Sequence, residues 1–196
     1  MKSILFSNVT FLLLAALAGG SLVASPTAAV PSESVRVAED WSYSAEASKL
    51  LNDIRSAAAR LNIQTDALDS YTRGGLSWES HASRLNKVRD DINEMGRLLR
   101  QFDEMRAGTA PWQRQAVDSI APVAANLATR TEAAIGHLNE NRQYLWAPVY
   151  IDHLKAMAEH ASQVKKTVDV HLELADTMQN LDDLRIKAVN LNSSTI

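Results

Sequence analysis

Trp78, His81, Leu85, Val88, Ile92, Met95, Leu99 and Phe102 are separated by alternating steps of three and four residues, with no proline among them. That spacing returns each side chain to the same face of a helix for about seven turns, and it suits coiled-coil-like packing of one helix on others. A strand brings its apolar side chains back every second residue, so the same pattern excludes a sheet here. Ser77 stands where an N-cap belongs, with an oxygen suited to a first-turn amide, and Gly108 marks the stop.

Three further stretches carry the same signal. The first predicted helix runs from Asp40 to Thr72, with Ala47, Leu50, Ile54, Ala57, Leu61, Thr65 and Leu68 as its stripe and Gly74-Gly75 as its terminator. The third opens at Thr109-Ala110-Pro111, where a first-turn proline gives up no hydrogen bond. Its stripe is Val117, Ile120, Ala124, Leu127, Thr131, Ala134, Leu138, Asn141 and Leu145, and Pro122 inside it predicts a kink or a break. The fourth opens at Ala147-Pro148 and continues through Tyr150, Leu154, Met157, Ala161, Val164, Val168, His171, Ala175 and Met178. Four helices of about thirty residues, each roughly 45 Å long and joined by short loops, predict an all-α fold: an antiparallel up-down-up-down four-helix bundle over residues 40–186. Residues 187–196 read as a frayed tail. Trp78, Trp112 and Trp146 recur at an interval that resembles a helical repeat, but a single long helix fills each interval, so the spacing measures helix length.

The chain contains no cysteine, so stability must come from packing, and thiolate metal sites, covalent haem and cysteine nucleophiles are excluded. Its beginning has a different character. Met1-Lys2-Ser3 carries one positive charge, Val9 to Ala18 is apolar, and Gly19-Gly20-Ser21 opens a run of small residues. This is the layout of a secretory signal peptide over residues 1–24, with cleavage expected between Gly20 and Ala29. The competing reading is an uncleaved anchor over Ile4 to Ala24, against which Ser7, Asn8, Thr10 and the glycines count. Residues 25–39 hold Pro26 and Pro31 without an apolar period and read as a flexible leader. The expected location is therefore periplasmic or secreted, with no membrane attachment after cleavage.

A net charge of −3 with interspersed signs gives no reason to seek nucleic acid or an anionic lipid surface. There is no GxSxG, no HExxH, no GxxxxGK[ST] and no glycine-rich dinucleotide loop. No glutamate is followed by histidine at the third position, which removes the di-iron bundle. The expectation is that the protein is not an enzyme and has no catalytic residue, cofactor-binding residue, metal ligand or cofactor of its own.

The polar exceptions gather towards one end. In an antiparallel bundle the start of the second helix, the end of the third and the start of the fourth share an end, which collects His81, His137, His153 and His160 with Asn141, Tyr144 and Tyr150. His81 and Asn141 stand at seam positions that an apolar residue would ordinarily fill. The expected candidate site is a polar end pocket lined by His81, Asn141 and Tyr150, with His153 at its rim; otherwise this end is simply wet. On either reading His81→Leu should stabilise the fold, and on the first it should also abolish binding. A histidine metal site there, or Met95 and His171 as axial haem ligands, is the competing cofactor reading. The tryptophans at helix junctions are expected to cover the ends of the core, with ligand stacking as the other use.

The stretches HASRLNKVRDDINEMGRLL, PWQRQAVDSIAPVAANLATRTEAAIGHLNENR and WAPVY resemble a group of small exported bacterial helical-bundle proteins that carry no assigned function. The resemblance covers about half of the chain after the leader. It implies the same exported helical architecture and transfers no activity. The LTxxQ signature of periplasmic stress-chaperone helical proteins is absent. The expectation is a non-enzymatic exported protein that acts by binding or scaffolding through its helical faces, with an unknown protein or small-molecule partner. The alternative is a metal- or haem-binding bundle that uses the histidine-rich end.

Overall fold

The computed structural model describes residues 44–193, and over them the protein is an all-α four-helix bundle. The helices are α1 (Ala45–Gly74), α2 (Trp78–Glu104), α3 (Pro111–Glu140) and α4 (Pro148–Ser193), with a short 3₁₀ turn at Arg106–Gly108. Among the described residues there is no strand. α1 packs on α2 and α4, and α3 packs on α2 and α4, so chain neighbours are spatial neighbours and α4 closes the square onto α1. The expected signal peptide, the leader and residues 40–43 lie outside the described residues, as does the tail from Ser194.

The helix starts and stops have local causes. Ser44 is extended and its Oγ accepts from the Ala47 amide at 3.4 Å. Gly75 ends α1 at φ 62°, a left-handed conformation that favours glycine. Ser77 occupies the cap of α2, but its hydroxyl meets Ser80 Oγ at 3.4 Å and takes no first-turn amide, contrary to the capping expected of it. At the start of α3, Gln113 is fully buried yet satisfied. Its Oε1 accepts from the Ala110 amide at 2.9 Å, and its Nε2 donates to Ser44 O at 3.1 Å and Ser48 Oγ at 2.9 Å, tying α3 to α1.

Several expectations need correcting. Pro122 does not break α3, which continues unbroken from Pro111 to Glu140. Both Pro122 and Asp118 are exposed, so the Asp118 carbonyl that loses its helical donor can be hydrated. Asn141 and Leu145 do not extend the α3 stripe, because the helix stops at Glu140 and Asn141 is its C-cap. Leu51 is buried where Leu50 was expected, and in α4 Leu172 is buried where His171 was expected. In α4 the buried positions step Ala161, Val164, Val168, Leu172, Ala175, a local run that includes two consecutive steps of four. A straight helix of 3.6 residues per turn drifts from a strict heptad and is corrected by such a stutter.

The tail is the largest correction. Residues 187–193, expected to fray, belong to α4, which is 46 residues long against 27 to 30 for the others. No glycine or proline interrupts the chain after Pro148, so nothing stops the helix. The last buried core residue is Ala175, and the remainder of α4 runs on for about 27 Å. Thr65 and Thr131, buried in the core, return their hydroxyls to Leu61 O and Leu127 O at 2.9 Å each. An exposed pair, Arg55 to Asp169 at 2.7 Å, links α1 to α4; hydrogen bonds from Lys165 and then Arg55 hold the Asp169 carboxyl below its usual range.

Candidate functional site

All four helices contribute a ring to one polar cluster at the end where α1 stops and α2 and α4 begin. His81 sits one turn into α2 and is 1% exposed; Tyr150, on the first turn of α4, is 0% exposed. His81 Nδ1 and the Tyr150 hydroxyl meet at 2.9 Å across the diagonal of the bundle. Tyr71 from α1 meets the His81 ring edge-on at 5.6 Å, and His137 from α3 stacks on Tyr150 at 5.2 Å. Each helix presents its ring because the position falls on or beside its buried stripe.

The electrostatics follow from the burial. Desolvation lowers the His81 pKa below its ordinary value, so the imidazole is neutral at pH 7 and can share one proton with a phenol. Burial pushes the Tyr150 phenol well above its usual range, so it stays a hydroxyl. The contact needs one hydrogen, which either the Tyr150 O–H or an imidazole Nδ1–H supplies. His153, half-buried beside them on α4, is also lowered, first by burial and then by Arg130 and His137, with Asp152 opposing. Its Nδ1 is enclosed without a hydrogen-bond partner.

The four residues of the expected pocket are therefore divided. His81 and Tyr150 come together, but as a closed pair in the core and not as the wall of an open concavity. Asn141 stands apart at the α3 cap, where its backbone N–H donates to His137 O at 2.8 Å and its Nδ2 donates to the same oxygen at 3.3 Å. His153 flanks the pair. Sequence reasoning missed Tyr71 and Arg84. Tyr71 lies three residues after Leu68 on the α1 stripe, and Arg84 lies one turn after His81, so both positions were legible once His81 was placed. Arg84 donates to the Tyr71 hydroxyl at 2.8 Å and to Gln64 Oε1, and its guanidinium lies 5.5 Å from the Tyr71 ring centre.

Outside that network lies an open polar cleft of about 380 Å³ between the end of α1 and the start of α2, lined by Tyr71, Glu79, Ser80, Ser83, Arg84 and Lys87. Among the described residues no group of three or more histidine or carboxylate side chains is placed to hold a metal ion. Met95 is core, and His171 Nδ1 is bonded to the Thr167 carbonyl at 2.9 Å within its own helix. The tryptophans divide as well. Trp112 is buried and Trp78 is half-buried beneath the Arg142 guanidinium at 4.4 Å, but Trp146 is 70% exposed and covers no core. Trp41 lies outside the described residues.

The second unusual surface is on α4. Val170, Leu174, Leu181 and Leu184 are all exposed, Leu181 at 51% and Leu184 at 60%. No helix among the described residues is long and apolar enough to cross a membrane. Comparison with known protein families, with curated proteins and with solved structures returns no match.

Proposed function

We propose that this is a non-enzymatic exported protein that acts by binding or scaffolding through its exposed helical faces. The observation that carries the reading is the distal part of α4, a helix that outruns its own core and bears exposed leucines beyond it. Exposed apolar side chains in a continuous row are costly to leave in water and mark a surface meant to be covered. The polar end supports the same reading from the other side, because its imidazole and phenol are spent on each other and closed from solvent. Export rests on the charged, apolar and small-residue succession from Met1 to Ala29.

The test is site-specific photo-crosslinking in the native host. A photoreactive residue at Leu181 or Leu184 should give discrete adducts, and one at Ser162, exposed on the packed half of α4, should give none. No adduct from Leu181 or Leu184 and no self-association would overturn the reading, and stoichiometric metal or a haem absorption band in protein recovered from the envelope would then favour a cofactor-binding bundle.

A further inference from the structure

Of the exposed apolar residues of α4, Val170, Leu174, Leu181 and Leu184 are in register with one another, while Ile186 and Val189 lie off that line. Val170, Leu174, Thr177, Leu181, Leu184 and Ala188 step by four, three, four, three and four, the spacing of a coiled-coil seam, and all six are exposed. At about 100° per residue, this stripe lies roughly 160° around the helix from the stripe of Tyr150, Leu154, Met157, Ala161, Val164, Val168, Leu172 and Ala175 that faces the bundle core. α4 thus has two seams. One is filled by α1 and α3; the other faces away from them.

We propose that the outer seam is a self-association surface on which two copies of this chain pair their α4 helices antiparallel, in the register that sets Leu174 against the partner's Leu184. The inference deepens the reading given above and rests on it. Three observations select a second copy. First, the flanking charges are self-complementary. Glu173 precedes Leu174 and Lys187 precedes Ala188, and both are exposed. In the antiparallel register that pairs Leu174 with the partner's Leu184, Thr177 meets the partner's Leu181, Val170 meets the partner's Ala188, and Glu173 lies beside the partner's Lys187. The two-fold axis makes each of these contacts twice. A parallel pair would place Glu173 beside the partner's Met178 and Asn180 beside the partner's Arg185, with no ion pair. Flanking charges of this kind set partner and orientation in coiled coils.

Second, among the described residues there is room. Because the outer seam opposes the core stripe, the two bundles fall on opposite sides of the helix pair and do not collide. Third, the scale fits a reversible contact. A helix pair of two to three heptads buries on the order of 1,000 Å², the low end of specific interfaces. The partner surface is already folded in each monomer, so little ordering is lost on association.

Sedimentation velocity on the protein recovered from cells, over about 1–200 µM, should show a reversible monomer–dimer equilibrium of micromolar strength. Leu181→Asp with Leu184→Asp should leave the helical circular dichroism unchanged and abolish the dimer. Glu173→Lys alone and Lys187→Glu alone should each weaken dimerisation about tenfold, because two attractions become two repulsions. Mixing these two single variants should restore the dimer, since both pairs between positions 173 and 187 are then opposite in sign. A chain that stays monomeric throughout, a dimer that survives the double aspartate variant, or a mixture no tighter than its components would overturn the proposal. Crosslinks from Leu181 to a different protein, with the isolated chain monomeric, would refute the dimer and leave the broader reading intact; neither crosslinks nor a dimer would remove both.

Discussion

The two ends of this bundle place polarity in opposite ways. Where α1 ends, His81 and Tyr150 put an imidazole and a phenol inside the core, and the helices close over them. Along the far half of α4, Leu174, Leu181 and Leu184 put apolar side chains outside, the last two where the helix has no core left to cover. The first arrangement is made within one chain, because His81 Nδ1 and the Tyr150 hydroxyl meet each other. The second is not complete within one chain. The contrast teaches where to look for function: a buried polar group with its partner supplies specificity to the fold, and an exposed apolar row asks for something beyond it.

The largest effect expected is at a site that belongs to neither end. Ile92, buried mid-way along α2, when changed to Asp should cost about 4 kcal/mol or more, because a carboxyl enters the core unpaired and a packed side chain leaves it. Urea unfolding should show it. An effect under about 1 kcal/mol would mean that the middle of the bundle is loosely packed, and the contrast between its ends would lose its reference.

The polar end gives the next largest effect. His81→Leu leaves the Tyr150 hydroxyl buried without its partner, which should cost about 1–3 kcal/mol. This reverses the sequence-based expectation that leucine stabilises this position, which took His81 to have no partner in the fold. Adding Tyr150→Phe should recover most of the loss, and a double-mutant cycle reads the coupling. If His81→Leu stabilises the protein, the pair is not a matched one. The pair should also shape the response to acid. The folded His81 pKa lies below its ordinary 6.5, so between those two values the unfolded chain takes up a proton that the folded chain refuses. Stability from this source is present above pH 6.5, is lost as pH falls towards the folded pKa, and falls no further below it. His153 contributes with the same sign. The doubly substituted His81→Leu, Tyr150→Phe protein should show a shallower decline below pH 6.5, and an unchanged decline would assign the whole response to other groups.

How much of this was legible in the sequence depended on whether a residue's neighbours were local. The seam from His81 to Met95 could be read directly, because three-four spacing is a property of one helix and all five of its stripe residues there are buried. The glycine stop at Gly75 and the proline start at Pro111 are local in the same way. His81 and Tyr150 could be assigned to one end from helix order alone, but their 2.9 Å contact depends on how far each helix is rotated about its own axis. Asn141 illustrates the limit. It continues the three-four pattern of α3, and periodicity cannot show that the helix has ended one residue earlier. The second seam of α4 was hidden for a related reason. Leu174, Leu181 and Leu184 are visible in the sequence, but a single stripe through His171, Ala175 and Met178 was taken as the core, and only the burial of Leu172 in place of His171 shows the core line to be rotated from it.

The smallest effect expected is at the end that looks most exposed to damage. Leu181→Asp and Leu184→Asp each replace a leucine by a charge, the same class of change as Ile92→Asp. Nevertheless both positions lie beyond Ala175, the last core residue of α4, and each side chain is already about half in water or more. A carboxylate there is solvated in the folded and the unfolded chain alike, so the desolvation cost that dominates at Ile92 is missing. What remains is a modest loss of helix propensity and a new charge near Asp182 and Asp183, which together should stay within about 0.5 kcal/mol. The measurement must be made at a protein concentration low enough that no self-association contributes, since any contact favouring the folded dimer would add to apparent stability by mass action. Dilute thermal unfolding of each variant should therefore match the parent chain, and a difference that appears only on raising the concentration would locate the lost leucine in a contact between molecules. A loss of about 2 kcal/mol at high dilution would place these leucines within the fold of a single chain, and the two ends would then differ far less than their burial suggests.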